Sequence, residues 1–230
     1  MSFGIHWEAF YHLNPLLEGG IGVLMFLYIL AIVLGTKYTY NIFMKHNLPK
    51  NVGVYYNRKI IHICAAGVVT LLFPIFFTAV TIPLILVALL AVVIYLPHRM
   101  GKILYWFQVQ ENMYEFNFVI AWGLAIGLSW ILFGNPIYGV IPAAFMSFGD
   151  AATGLVRNAL FKRRTKSWIG NIAMLAVCIP IGWIYAGIAG VVAGIVASIA
   201  EHFEFGPIDD NILITITSLA TLLILTYAWV

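Results

Sequence analysis

Four groups of polar and charged residues stand at the ends of long apolar runs, and each group is suited to holding phosphate or a metal ion. The first contains Arg58, Lys59 and His62, and the spacing of Arg58 and His62 puts both on one face of a helix. Cations beside the free N–H groups of a helix start favour an anion such as phosphate. The alternative is that Arg58 and Lys59 only fix a membrane span, with their charged ends at the water surface.

The second group begins at Gly149 and combines an acid, small residues and a cation. Four of its members follow the spacing i, i+3, i+4 and i+7 and share a helical face: Asp150, Thr153, Gly154 and Arg157. An Asp buried at the end of a membrane span is costly unless it is paired or binds a metal ion. Hard oxygen ligands favour Mg²⁺, which binds carboxylates together with substrate phosphates. The alternative is an Asp150–Arg157 ion pair that serves packing alone.

The third group is a dense basic segment, Lys162 to Lys166, followed by Ser167 and Gly170. Ser167 is placed to cap the next helix, and a Lys-Ser pair at a helix start can hold phosphate oxygens. The Walker A pattern is absent from the sequence. The alternative is a basic loop that only sets the orientation of the protein in the membrane.

The fourth group is acidic and consists of Glu201 followed by Asp209, Asp210 and Asn211. Neighbouring carboxylates repel each other unless a cation lies between them, so this group favours a metal or general-base site over solvated loop acids. Hard-metal ligands are thus expected at Asp150, Asp209, Asp210 and Glu201, and phosphate binders at Arg58, Lys59, Lys166 and Ser167. Such a set suits phosphoryl or nucleotidyl transfer, which depends on positioning and charge neutralisation.

The composition identifies the environment in which these groups must work. Hydrophobic residues make up 63% of the 230 residues and charged residues 9%, against about 45–50% and about 25% in soluble domains. This excludes an ordinary soluble protein, and it excludes disorder, which needs high charge. The two cysteines, Cys64 and Cys178, exclude a disulfide scaffold. An integral membrane protein remains, in a cell membrane or an endoplasmic-reticulum-type membrane, with membrane lipids as neighbours and no nucleic-acid partner.

Long uncharged runs predict the architecture, because a helical span takes about 20 apolar residues. Runs of 18 and 20 residues hold one span each, and three middle runs of 39, 34 and 34 residues hold a helical hairpin each. The sequence therefore predicts one all-α domain over 1–230 with about eight transmembrane helices. Turns are expected at Phe73-Pro74, at Gly134-Asn135-Pro136 and around Tyr185-Ala186-Gly187. The sequence is also compatible with a homodimer.

The hairpins also predict where the charged segments lie. If each middle run is a hairpin, the chain enters and leaves the membrane on the same side. All charged segments between the runs then share one face of the membrane, and the positive-inside rule makes that face cytoplasmic. Both termini then face outward. Residues 1–18 are expected to form a short interfacial segment without a cleavable signal. Residues from about 99 to 115, which overlap the aromatic stretch Met100–Asn117, favour an amphipathic interfacial helix with Trp106 at headgroup depth, or else a plain loop.

Four motifs in this order resemble those of the CTP-dependent lipid-alcohol kinases: dolichol kinase, phytol kinase and the yeast-type diacylglycerol kinase. The family is similar in turn to phosphatidate cytidylyltransferases. The motifs are R-K-x-x-H at Arg58–His62, G-D-A-x-A/T-G at Gly149–Gly154, K-S-x-x-G at Lys166–Gly170, and a Glu followed by D-D-N at Glu201 and Asp209–Asn211. They cover most of the chain after residue 55. Ile169 stands where the family often has an acid, and Val156-Arg157-Asn158 replaces a common Gly-Arg pattern.

The resemblance implies a CTP-dependent, Mg²⁺-requiring kinase that phosphorylates an isoprenoid alcohol such as a polyprenol, dolichol, phytol or geranylgeraniol. As a hypothesis on mechanism, we expect a catalytic role for Asp150, with Asp210 as the favoured base for the hydroxyl proton and His62 as the other candidate. The resemblance also implies nucleotide binding by a larger set: Arg58, Lys59, Gly149, Thr153, Gly154, Arg157, Lys166, Ser167, Gly170 and Asn211. Two alternatives stay open. One is a cytidylyltransferase that joins CTP to a lipid phosphate, with Arg99 or Lys102 at the lipid entrance, and the other is a transporter or non-catalytic membrane component.

Overall fold

The computed structural model describes residues 4–163 and 165–228, and within these ranges the chain forms helices and no strand. A short 3₁₀ helix, Trp7–Phe10, precedes seven helices that are long and apolar enough to cross a membrane. They are α1 (Pro15–Lys45), α2 (Lys50–Phe76), α3 (Thr81–Arg99), α4 (Tyr114–Phe133), α5 (Ile137–Phe161), α6 (Trp168–Glu201) and α7 (Asp210–Ala228). The predicted all-α polytopic membrane protein is confirmed.

Helix α6 contains the reversal that the sequence predicts near Gly187. Gly187 has φ of 55° and ψ of −134°, outside the helical region, and glycine adopts such a φ without a steric penalty. The backbones on either side of the reversal then meet, since a Cβ on Gly182 would lie 2.2 Å from the carbonyl oxygen of Gly190. Ser198 Oγ donates to the carbonyl of Asn171 at 2.9 Å. The two halves of α6 therefore run antiparallel, and the described residues form seven long apolar helices, one of which is a hairpin, close to the predicted number of about eight spans.

The helix connections separate into two ends of the molecule. At one end the amino-terminal segment packs on the α2–α3 turn, where Val80 N donates to Ala9 O at 2.8 Å. At the other end Asn117 Nδ2 donates to Pro207 O at 3.2 Å, which links the start of α4 to the α6–α7 connection. Every described Lys and Arg lies towards this second end. The predicted gathering of the charged segments on one face is therefore confirmed.

The first predicted turn is displaced by a few residues. Pro74 lies inside α2, which continues to Phe76, and the chain reverses at 77–80 instead of at Phe73-Pro74. Phe73 is 1% exposed and packs against Trp122 and Trp130. The burial of this ring keeps the helix intact past the proline.

The helix expected within Met100–Asn117 is wrong, because the chain forms turns until α4 begins at Tyr114. Trp106 and Phe107 are buried against the protein, and Trp106 Nε1 donates to the carbonyl of Val33 at 3.0 Å. The carbonyl of Trp106 accepts from Asn57 Nδ2 at 2.8 Å. The aromatic side chains thus belong to the protein interior, and the plain-loop alternative describes this segment.

Two π-helical segments interrupt α2 and α5 at the same level. They are Ile61–Gly67 and Phe145–Gly149, and they pack on each other, since a Cβ on Gly67 would lie 2.5 Å from Phe148 Cζ. Such π segments occur frequently at functional sites. Here the first contains His62 and the second ends directly before Asp150.

Candidate functional site

Three carboxylates from three different helices meet at the charged end of the molecule. Asp150 follows the π segment of α5, Glu201 ends α6 and Asp210 begins α7, and each offers a ligand oxygen within 4.8 Å of the others. Asp150 and Glu201 are 3% and 1% exposed. Because like charges so close and so buried repel strongly, the group requires cations around it. We call these three residues the carboxylate group.

Two lysines supply part of the compensating charge. Lys59 Nζ lies 2.6 Å from Asp150 Oδ2. Lys166 Nζ lies 2.8 Å from Asp210 Oδ2 and donates to the carbonyl of Glu201 at 2.7 Å. Burial alone would lower the pKa of Lys166, but the carboxylates of Asp210 and Glu201 outweigh it and raise this pKa. Lys166 therefore stays charged at neutral pH.

Arg157 supplies the third compensating charge. Its guanidinium forms a two-pronged ion pair with Glu201 at 2.7 and 2.9 Å and donates to Ser167 O at 2.9 Å and Asn171 Oδ1 at 2.8 Å. It is 3% exposed. Asp150 and Arg157, whose pairing the sequence offered as an alternative, thus have different partners. With these bonds made, Arg157 holds Glu201 in place and has little capacity left for the nucleotide contact expected of it.

His62 links the carboxylate group to an apolar cavity. Its Nδ1 lies 3.2 Å from Asp150 Oδ2, and its ring stacks on Phe118 with 3.9 Å between ring centres. The cavity lies among α1, α2, α3 and α4, and its lining includes His62. His62 therefore borders both the carboxylate group and the cavity, so a group in the cavity beside this ring would lie near Asp150.

The small residues that the sequence assigned to nucleotide binding pack the helices around these cations. A Cβ on Gly154 would lie 2.4 Å from Lys59 Cε, and one on Gly170 would lie 2.3 Å from Arg157 Nε. Gly149 faces Cys178 in the same way, and Thr153 Oγ1 lies 3.1 Å from Gly149 O and 3.2 Å from Gly170 O. Gly154 and Gly170 therefore make room for Lys59 and Arg157, while Gly149 and Thr153 hold the surrounding helices together.

Asp209, predicted as a metal ligand, lies outside the carboxylate group. Its Oδ1 accepts from Ile212 N at 3.2 Å and so caps α7, while Asn211 Nδ2 donates to its Oδ2 at 3.1 Å. Burial and the neighbouring Asp210 raise the pKa of Asp209 to about 7. Asn211, predicted to bind nucleotide, is 3% exposed.

Ser167 differs from the prediction in its local role. It precedes α6, but among the described residues its side chain makes no cap hydrogen bond, so the expected cap is wrong. It is half-buried beside Lys166. Arg164, in the middle of the basic segment, lies outside the described residues.

Arg58 faces away from the carboxylate group, unlike its neighbour Lys59. Its Nε lies 2.5 Å from Glu115 Oε1 and donates to Phe107 O at 2.8 Å. Arg58 and Glu115 both line the apolar cavity. Sequence reasoning missed Glu115, although an acid standing directly before the long uncharged run from Phe116 was a usable signal.

Comparison with protein-family models, with curated proteins and with solved structures finds no match to this chain. The site therefore has to be judged on its own geometry. Three converging carboxylates are the oxygen donors that Mg²⁺ takes, and the contacts of Asp150 and Asp210 with Lys59, His62 and Lys166 all use Oδ2. One oxygen of each Asp is thus left over from these ion pairs and is available to a metal ion, whereas both oxygens of Glu201 are bound by Arg157, Lys166 and Asn171.

Proposed function

We propose that the protein is a Mg²⁺-dependent membrane kinase that transfers the γ-phosphate of CTP to the hydroxyl of an isoprenoid alcohol. The observation that carries the proposal is the position of His62, which contacts Asp150 and also lines an apolar cavity within the helices. A lipid hydroxyl at the end of this cavity would stand beside a base and a metal-binding group. The four ordered motifs favour CTP as the donor.

In the proposed reaction the residues of the chain position charge and move one proton. Magnesium held by Asp150 and Asp210, with Glu201 beside them, would neutralise charge on the nucleotide phosphates. Lys59 and Lys166, now bound to these carboxylates, supply positive charge at the same place. Glu201 is fixed by Arg157 and keeps the group assembled.

His62 is the better placed of the two candidate bases. Its Nδ1 lies 3.2 Å from Asp150 Oδ2, and in this proposal Nε2 accepts the hydroxyl proton. The alcohol oxygen then bonds to the γ-phosphorus, the bond from γ-phosphorus to the bridging oxygen breaks, and CDP leaves. Asp210 is bound to Lys166, so we assign it to the metal. The positive-inside rule places this chemistry on the cytoplasmic face.

A cytidylyltransferase would use the same carboxylates but an anionic lipid. The cation that lines the cavity, Arg58, is already paired with Glu115, and this pairing favours an uncharged acceptor. The kinase is therefore the function that the site supports best.

The proposal is tested with purified protein, Mg²⁺, CTP labelled at the γ-phosphate and a panel of isoprenoid alcohols. We expect labelled lipid monophosphate from wild-type protein and a loss of about 10²-fold or more in His62→Gln, the scale of lost general-base catalysis. His46→Gln is the matched control, since His46 is exposed after α1. Equal rates in wild type and His62→Gln, or no transfer to any alcohol, would contradict the proposal.

A further inference from the structure

The cavity beside His62 follows the membrane-spanning part of α2. Its lining on this helix extends from Arg58 to Phe73, which is about 22 Å at the helical rise of 1.5 Å per residue. The hydrocarbon core of a bilayer is about 30 Å thick. On the opposite side the lining comes from α1, α3 and α4, with Met25, Leu90 and Val119 as examples. The cavity thus has the length and the apolar lining of a site for one extended hydrocarbon chain.

The ionisable lining residues are Arg58, His62 and Glu115, and all three lie at the charged end. Arg58 and Glu115 form an ion pair in which both side chains are largely buried, at 12% and 8% exposed. Their charges cancel, and the next charged groups beyond His62 are the Asp150 carboxylate and the Lys59 ammonium that is paired with it. Each described cation near a lipid phosphate placed here, Arg58 and Lys59, is therefore already neutralised by a carboxylate.

We infer that the cavity holds the tail of a lipid with an uncharged hydroxyl headgroup, and that Glu115 rejects anionic lipids by neutralising Arg58. This inference rests on the proposed function for the identity of the alcohol, but it predicts binding that needs no nucleotide. If the inference holds, the lipid monophosphate dissociates once it is formed, because the end of the cavity offers no unpaired positive charge to its phosphate. Glu115 is then the residue that sets the charge of the accepted lipid.

The position of the tail is tested by photolabelling. Purified protein in detergent, without nucleotide, is irradiated with a C20 isoprenoid alcohol that carries a diazirine near the end of its tail, and the labelled peptides are mapped by mass spectrometry. We expect the label in the cavity-lining segments of α2, α3 and α4. Labelling confined to outward-facing segments would overturn the inference.

A matched pair of variants on α3 makes this test specific. Leu90 lines the cavity, whereas Leu89 is 51% exposed on the outer surface. Leu90→Trp fills the cavity and should reduce labelling roughly tenfold or more. Leu89→Trp adds the same bulk outside and should leave labelling unchanged. Equal labelling of the two variants would place the tail elsewhere.

The role of Glu115 is tested by competition for the same probe between unlabelled geranylgeraniol and its monophosphate. In wild type the alcohol should compete better. In Glu115→Gln the uncompensated Arg58 should improve competition by the monophosphate roughly 10- to 100-fold, the scale of a hydrogen bond to a charged group. Glu111→Gln removes an exposed acid from the preceding loop and should behave as wild type. Unchanged competition in Glu115→Gln would overturn the inference.

A double variant keeps the test valid if the single change disturbs folding. Arg58→Gln/Glu115→Gln removes both charges and leaves no buried unpaired ion, so its preference should remain with the alcohol. A double variant that preferred the monophosphate would overturn the inference. Labelling inside the cavity without any phosphoryl transfer would refute the kinase and support the tail site. Phosphoryl transfer with labelling outside the cavity would support the kinase and refute the tail site.

Discussion

The pair formed by Lys59 and Asp150 gives the sharpest prediction. Asp150→Asn preserves the shape of the side chain but leaves the ammonium of Lys59, 5% exposed and 2.6 Å from it, without an anionic partner. Removing one member of a buried ion pair costs about 3–5 kcal/mol of folding free energy. Lys59→Met leaves the carboxylate of Asp150 with His62 alone and should cost a similar amount.

The double variant Asp150→Asn/Lys59→Met separates stability from catalysis. It removes both buried charges, so it should be more stable than the sum of the single effects by about 1–3 kcal/mol. Activity should nevertheless stay about 10²–10³-fold below wild type in all three variants, because the charge that stabilises the transition state is lost. Stability is measured by unfolding in mixed micelles, and activity by transfer from labelled CTP.

Two results would refute this reasoning. A double variant with near wild-type activity would remove Asp150 from the catalytic site. Additive single effects, with no coupling between the two positions, would show that the buried pair does not exist in the membrane-embedded protein.

Three further predictions concern the metal, the packing at Lys59 and the opposite end of the molecule. Chelation of divalent ions should abolish transfer, and Mg²⁺ should restore it, with the circular dichroism spectrum unchanged throughout; transfer that persists in chelator would contradict the metal role. Gly154→Ala places a methyl group 2.4 Å from Lys59 Cε and should lower activity, whereas Gly35→Ala meets nothing within 4 Å and should not; equal activity would contradict the packing argument. Glu18→Ala removes the carboxylate that accepts from Thr78 N and Oγ1, so it should cost about 1–3 kcal/mol in unfolding experiments without affecting transfer, and wild-type stability would disprove this.

The fold was predictable because the bilayer constrains it strongly. Span length and the parity of uncharged runs predict about eight spans and one end for the charged segments between the runs. The described residues form seven long helices, one of them a hairpin, and gather those segments at one end. The reversal at Gly187 could be predicted because the uncharged run that contains it, 34 residues, is too long for one span. The loop at 100–113 was harder to predict, because its aromatic residues suit a headgroup interface and a buried protein surface equally well. The neighbouring helices select the buried position, because they offer hydrogen-bond acceptors such as the carbonyl of Val33, which accepts from Trp106 Nε1.

The site was predictable in its residue types but less so in its pairings. Residue types brought Asp150, Asp209, Asp210 and Glu201 into one prediction, and the structure places all of them together except Asp209. Spacing could not tell that Arg157 would bind Glu201, or that Arg58 would turn towards Glu115, because ion pairs between helices depend on three-dimensional packing. Spacing also could not tell that Gly154 and Gly170 would allow the close approach of Lys59 and Arg157, and their predicted contact with phosphate stays a prediction.

The proposed activity is tested most directly by labelling CTP separately at the α and γ phosphates. Purified protein is incubated with Mg²⁺ and either label, and with geranylgeraniol, dolichol, diacylglycerol or phosphatidate as acceptor. The kinase predicts label in the lipid from the γ position only, on an isoprenoid alcohol, with CDP released. Label from the α position with release of pyrophosphate would establish a cytidylyltransferase instead, and no transfer from either position would contradict an enzymatic role.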